Sequence, residues 1–379
     1  MREELYGTRL YINFKKLHSN INHFKKIFNH TKIIAMIKAN AYGFGDVLMT
    51  KKMEEFGINY FGVADFEEGV RLRNNGINSK IMVMNTSKSS IQMIIKHKLE
   101  PVIYSMDILH AMIQQIDKIC INEETQPYPI HIKINTGMNR WGFNREEIPD
   151  LIAQLQLASK QLIVKSLYSH FSSAQNERDN PFTIKQIDNF LKITSMFKEG
   201  FNYNISQHIH NSSGSMNFQK TILPFNFSRI GIGLYGLLKD PNLEPIGELR
   251  CRISQVIDLK KNDTVGYNRV FVANKEMKIA TVPFGYADGL QRSWGNGILK
   301  FYYKGHLLPT VGHISMDSCS IDVSDLFRHF EELDNNSLIN EEIIYFGKDR
   351  PIWELSKELK TIPYEIVATL SRRIKRIYN

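Results

Sequence analysis

A lysine stands near the close of an apolar run, IIAMIKAN (33–40), and small residues follow it in ANAYGFG. Lys38 leaves a wall of apolar neighbours, and desolvation favours the neutral form of an amine. That is the form a lysine needs to bond covalently to a carbonyl carbon. Ala39, Ala41, Gly43 and Gly45 leave room for a bulky group, and Tyr42 lies one turn away. Two later segments, HIHNSSG (208–214) and RIGIGLYG (229–236), suit an anion. The Ser212 hydroxyl can donate, and small residues let the amides of Gly231 and Ile232 approach a phosphate. Cys120, Cys251 and Cys319 are scattered and form no CxxC, so no disulfide framework or cysteine zinc site is expected, and no metal.

The elements that must carry these groups are short apolar runs rich in β-branched residues. They fall at 33–40, 60–65, 81–85, 101–105, 129–137, 162–171, 205–214 and 227–236. Such runs read as buried parallel strands. Between them lie amphipathic segments, as in LHSNINHFKKIFN, where Leu17, Ile21, Phe24 and Phe28 share a face. Eight strands alternating with helices predict a (β/α)8 TIM barrel, whose active face lies at the carboxyl ends of the strands. The absence of GxGxxG after the first strand disfavours an open doubly wound sheet. Beyond Pro241 and Pro245 the texture changes to CRISQVIDL, KIATVPF, LKFYYKG, SCSIDVSDL and EIIYFG, short strands of a mainly β C-terminal domain. The expected domains are 1–238 and 239–379, with the first few residues open to pairing with the second.

The chain has 379 residues, 42% of them hydrophobic, and a formal net charge of +9. Its basic residues are scattered without a long run, which reads as a solvated surface; no nucleic acid partner is expected. No apolar run nears the ~20 residues that span a bilayer, and MREELYGTRL lacks the core of a secretory signal. The expectation is a cytoplasmic protein with no membrane partner.

KANAYGFG (38–45) resembles the pyridoxal 5′-phosphate (PLP) attachment motif of the alanine racemases, fold type III PLP enzymes, usually written KANAYGHG; Phe44 is the departure. The likeness continues in order along nearly the whole chain. KINTGMNRWG (133–142) resembles KxDTGMGRxG, with Asn135 and Asn139 replacing Asp and Gly. It implies that Arg140 neighbours the cofactor's phenolic oxygen and the substrate. It also matches Lys133 to a lysine that some members carbamylate. LYSHFSSA (167–174) matches a strand whose His170, with Tyr168 close by, would sit near a catalytic tyrosine. HIHNSSG, with Asn211 and Ser212, and RIGIGLYG match the phosphate loops. Arg229 would face the pyridine nitrogen, supported by His208. A guanidinium only donates and keeps its proton, so the ring nitrogen would stay unprotonated.

In the second domain the resemblance makes Tyr267 of TVGYNRV the base opposite Lys38. It puts Tyr286 of GYADG in the site lining, the Met316 backbone on the substrate carboxylate and Asp317 in support of that loop. His313 stands where the family has arginine, and Arg292 matches an arginine of the access corridor. In PYEIVATLSRRIKRIYN (363–379), Arg372 stands where many members have a gate tyrosine, while Tyr364 fits. The resemblance implies PLP-dependent, two-base interconversion of L- and D-alanine, supplying D-alanine for peptidoglycan. It also implies a homodimer with shared sites. Arg372 keeps open a broad-specificity amino-acid racemase. Arg229 argues against a basic amino-acid decarboxylase, and residues 239–379 against a PLP-carrying homeostasis protein.

Overall fold

The computed structural model describes residues 7–27, 31–119, 126–175, 181–218 and 225–379; Phe28 and Cys120 lie outside them. After β1 (Arg9–Ile12) come β2 (Lys32–Met36), β3 (Tyr60–Val63), β4 (Lys80–Val83), β5 (Glu100–Ile103), β6 (Tyr128–Lys133), β7 (Leu162–Tyr168), β8 (Ser206–His208) and β9 (Phe227–Ile230). β2 to β8 pair in parallel in chain order, and β9 returns to pair with β2. Between β8 and β9 the ladder gives way to single bonds. Asn226 N–H donates to Gln207 O at 3.0 Å and Arg229 N–H to His210 O at 3.1 Å. The result is the expected parallel barrel, nearly closed.

The strands are buried on both faces because helices cover the sheet outside and side chains fill it inside. All four residues of β3 are buried. The helix Phe14–Ile27 buries Leu17, Ile21 and Phe24, and the helix Pro181–Gly200 buries Phe190, Ile193 and Phe197. Each strand stops short of the apolar run that predicts it: β2 ends at Met36 and β8 at His208. The remainder of each run is loop.

The rest of the chain is mainly β: β10 (Gly247–Arg252), β11 (Gln255–Leu259), β12 (Thr264–Val265), β13 (Phe271–Val272), β14 (Met277–Val282), β15 (Lys300–Tyr303), β16 (His306–Val311), β17 (Cys319–Asp322), β18 (Glu342–Phe346) and β19 (Lys375–Tyr378). Nine strands form one sheet in the order β11-β14-β17-β16-β15-β18-β10-β1-β19, and β12 with β13 makes a small hairpin. β1 runs antiparallel to β10 and parallel to β19. The rings of Phe284, Phe301 and Tyr345 pack within 5.2–6.5 Å of one another in the core. Cys251 and Cys319 are buried free thiols.

The chain resolves into two compact units. One is Asn20–Ala41 with Asp46–Leu234; the other joins residues up to Ser19, Tyr42–Gly45 and Tyr235–Asn379. Phe44 belongs to the second, where it is fully buried and stacks on Tyr235 at 5.2 Å. An aromatic ring is a reasonable occupant there, which accounts for its place in the motif. Gly43 has φ +87°, and a Cβ on it would fall 1.9 Å from the Val367 carbonyl oxygen. Arg376 donates to the Gly43 carbonyl at 2.8 and 3.0 Å. Gly43→Ala therefore meets both an unfavourable φ and a backbone clash. It is expected to cost about 3 kcal/mol or more. A urea midpoint equal to that of the parent, at unchanged m, would refute this.

Candidate active site

Five strands deliver polar residues to the carboxyl-terminal mouth of the barrel. Lys133 closes β6, Tyr168 closes β7, His208 closes β8, Arg229 lies on β9, and Lys38 follows β2 by two residues. Lys133, Tyr168, His208 and Arg229 are buried. Tyr168 is the slab on which the cations rest. Lys133 Nζ lies 4.7 Å and Arg229 Cζ 4.8 Å from its ring centroid, and the His208 ring stacks on it at 5.1 Å.

Among the described residues Arg229 meets only neutral acceptors. It donates to His208 Nδ1 at 2.6 Å, to the Ser169 carbonyl at 2.5 Å, to the Ile209 carbonyl at 3.3 Å and to His170 Nδ1 at 3.2 Å. Burial pulls its pKa down to about 10, so it stays charged at neutral pH. Burial, then the Arg229 charge, holds His208 and His170 well below the usual histidine range, so both are neutral acceptors. Lys133 is brought down to about 7 by burial and by Arg229, Arg140 and Lys38. Lys38 is lowered by burial first and then by Arg140. Arg140 is exposed, with its guanidinium 5.2 Å from the Trp141 ring.

Asn135 and Asn139, the two departures in that segment, work together. Asn139 has φ 53°, the left-handed region that the family's glycine enters freely and that asparagine tolerates best among other residues. The Asn135 side-chain oxygen accepts from the amides of Gly137 and Asn139, both at 3.1 Å. An aspartate would accept the same bonds.

At the other segment, Ser212 Oγ accepts from the amides of Gly231 (3.1 Å) and Gly233 (3.2 Å), which leaves its own proton to give. The Gly231 amide is thus directed at Ser212, unlike the outward donor expected from the sequence. Asn211 caps the helix Ser212–Asn217 by accepting from Gly214 N–H at 2.8 Å.

The turn after Lys38 is unusual. Ala39, Asn40, Ala41 and Tyr42 all have φ of 52–55°, a left-handed turn built without glycine. Each such residue costs roughly 1–2 kcal/mol. Glu68, which sequence reasoning missed, helps to hold it. Its carboxylate accepts from the Ala39 amide at 2.6 Å and the Ala64 amide at 2.7 Å. The Asp65-x-x-Glu68 helix start is a readable capping signal, but its second client, 29 residues upstream, is not. Glu68 also opposes the lowering of the Lys38 pKa.

The remaining expected residues belong to the other unit. The Tyr42 ring packs 5.0 Å from Tyr235 and 6.4 Å from Tyr364, and burial raises its pKa. Tyr267 sits between Gly266 (φ 75°) and Asn268 (φ 60°) and is 71% exposed. Met316 and Tyr286 are 53% and 42% exposed. Their loops are knit by backbone bonds, Tyr286 N–H to Ser315 O at 3.0 Å and Ala287 N–H to Met316 O at 2.9 Å. Arg373 ties Asp317 (2.6 Å) to Asp288 (2.7 Å); it too was missed, and nothing in SRRIKR distinguishes it. Arg372, Arg292 and Asp317 are exposed, and His313 is half-buried.

Replacing Glu68 by glutamine removes a charge beside Lys38 and one of two amide acceptors. Glu68→Gln is expected to cost about 1–3 kcal/mol and to move the Lys38 pKa lower still. The pH dependence of Lys38 modification by an amine reagent, read by peptide mapping, checks this; an unchanged or raised midpoint overturns it.

Among the described residues no His, Cys, Asp and Glu group could hold a metal ion, and no helix is long and apolar enough to cross a membrane. Residues 12–239 match the alanine racemase N-terminal domain model and residues 246–378 the C-terminal domain model. The alanine racemase of Clostridium novyi (strain NT) is 33% identical over 97% of this chain and 94% of its own. That of Methanococcus maripaludis is 31% identical over 97% of both. Among solved structures, the alanine racemase of Clostridium difficile 630 superposes with a TM-score of 0.87 at 28% identity, over 100% of this chain and 97% of its own. The Bartonella henselae enzyme with covalently bound pyridoxal phosphate gives 0.85 at 25% identity, over 99% and 100%. The chain belongs to the alanine racemase family of PLP-dependent isomerases.

Proposed function

We propose that this chain interconverts L- and D-alanine with PLP held on Lys38, as a homodimer in which Tyr267 of one copy serves the barrel of another. The observation that carries the reading is the set of cationic groups around Lys38. Arg140 and Arg229 help to lower both Lys38 and Lys133, Lys38 adds to the lowering of Lys133, and Glu68 opposes the lowering at Lys38. Cations without matching acids fit a ligand that brings a phosphate, a phenolate and then a substrate carboxylate.

Bound PLP supplies an electron sink that acidifies the Cα–H of an amino acid joined to it. Lys38 would bond its carbonyl carbon, since desolvation keeps the amine available. Ser212 and Ile232 would hold the phosphate, with Gly231 shaping the turn through Ser212 and Asn211 fixing the helix start. Tyr42, kept protonated by burial, is a further neutral donor. Arg229 would face the ring nitrogen, and because it keeps its own proton the nitrogen acquires none. An unprotonated ring nitrogen would be a weaker electron sink, which would favour return of the proton to Cα over transfer of the amino group. Arg140 and the amide of Met316 would take the substrate carboxylate, while Tyr286 lines the site and Asp317 steadies the loop. Lys38 would move the proton of the D-isomer and Tyr267 that of the L-isomer. With its pKa brought to about 7, Lys133 offers a substantial fraction of free amine at neutral pH, the form that takes up CO2; a carbamate there would place an anion among the arginines. The reading includes a cytoplasmic supply of D-alanine for peptidoglycan. Arg372, exposed where a gate tyrosine is usual, supports a second reading, a racemase of broader selectivity. Comparable turnover of alanine, serine and lysine would establish it.

Borohydride reduction of the PLP-loaded protein should leave the cofactor on Lys38, and an adduct elsewhere ends the proposal. Lys38→Ala and Tyr267→Ala are each expected to be inactive. Mixed and allowed to exchange in equal amounts, they should recover about a quarter of the parent activity. Half of the dimers are then mixed, and one of their two sites is intact. No recovery on mixing, with exchange verified by mass, refutes the shared site.

A further inference from the structure

Behind Arg229 runs a line of buried polar groups with no part in the scheme above. His208 Nε2 lies 2.8 Å from Ser166 Oγ, Ser166 Oγ 2.7 Å from His131 Nδ1, and His131 Nε2 3.0 Å from Glu100 Oε2. Tyr60 closes the far end: its hydroxyl is 2.8 Å from His131 Nε2 and donates to Glu100 Oε2. All five residues are buried. His208 is the last residue of β8, whereas Glu100 and Tyr60 are the first residues of β5 and β3. In a parallel barrel the line therefore runs inward from the active mouth toward the amino-terminal end.

With both imidazoles neutral, one order of protons satisfies every group along this line. Arg229 can only donate, so His208 Nδ1 accepts. A neutral imidazole then carries its proton on Nε2 and gives it to Ser166. The Ser166 hydroxyl has one proton, and its remaining partner is His131 Nδ1. His131 thus carries its own proton on Nε2 and gives it to Glu100. Burial works to raise the Glu100 pKa, the bonds from His131 and Tyr60 work against it, and the net direction is down. Reversing the His131–Glu100 link alone would set an unprotonated nitrogen against the carboxylate in a dry core, a cost of about 1–3 kcal/mol.

We propose that Ser166, His131 and Glu100 are positioning residues for Arg229, a one-way hydrogen-bond relay anchored on the Glu100 carboxylate that keeps His208 an acceptor and so fixes the guanidinium. Its link to the reaction rests on the reading that Arg229 faces the cofactor ring.

Nitrogen NMR of the full chain labelled with 15N-histidine reads the relay directly, with or without PLP. His131 and His208 should both carry their proton on Nε2 alone, with Nδ1 unprotonated. A proton on Nδ1 of either ring overturns the relay. Ser166→Ala should shift the His208 Nε2 resonance, and Glu100→Gln that of His131. In the PLP-loaded enzyme, Ser166→Ala should raise pyruvate released per racemisation event about fivefold, the scale of one buried hydrogen bond; pyruvate forms when the amino group of alanine passes to PLP. Ser166→Thr, which keeps the hydroxyl, should restore the parent ratio. An unchanged ratio and an unchanged His208 resonance in Ser166→Ala refute the proposal. Arg229→Lys separates the two claims: an unchanged ratio there removes the assignment of Arg229 to the ring, and the imidazole protons still decide the relay.

Discussion

Arg229 is a guanidinium taken out of water without a carboxylate to receive it. Its partners are two histidine nitrogens, backbone carbonyls and the face of Tyr168. A buried charge is costly unless its donors are satisfied, and here the satisfaction is spread over neutral groups. A carboxylate would neutralise the arginine and change what it presents to a ligand. Neutral acceptors leave the charge whole. The same choice forces His208 and His170 to stay unprotonated, depresses Lys133, and makes the order of polar residues behind His208 a matter of proton counting.

A second constraint acts on the backbone. Four successive residues in the left-handed region are unfavourable, and of the residue types there only Asn tolerates it at modest cost. The turn persists because what surrounds it over-determines it. Glu68 takes the Ala39 amide, the Asp46 amide donates to the Asn40 side chain at 3.2 Å, and Arg376 grips the Gly43 carbonyl. Strain of this kind concentrates at functional sites. Its effect here is geometric: within seven residues the chain goes from Lys38 in one unit to Tyr42 and Phe44 in the other.

Strand beginnings were readable and strand endings were not. The apolar runs start within a residue or so of β2 to β9, because a strand buried on both faces needs continuous apolar content from its first residue. They overrun the ends because strands and loops at the active mouth use the same small and apolar residues. IIAMIKAN reads smoothly through Met36, where the ladder stops. The residues carrying motif-level likeness, Lys38, Arg140, Arg229 and Tyr267, were legible from that likeness rather than from spacing. Glu68, Ser166, His131 and Glu100 were not, since each looks like an ordinary polar residue in its own segment. One hint was available: His131 and Lys133, like Ser166 and Tyr168, stand two apart on one strand and so face the same side. Which side, and what lies across it, depends on five other strands.

The two units divide the chemistry by solvent access. Groups whose protonation must be held, such as Arg229, His208, Lys133 and Tyr168, are buried on barrel strands, where desolvation sets their charge. Tyr267, Tyr286 and Met316 stand in water, the last two on loops tied to each other by backbone bonds. Tyr267 is 71% exposed, and tuning by neighbours needs a covered group. A base with a reference pKa near ~10 needs such tuning to return a proton at neutral pH. In the homodimer proposed above, association provides it, since the exposed loops acquire their dielectric only when a barrel covers them. Activity then depends on assembly for a reason beyond geometry.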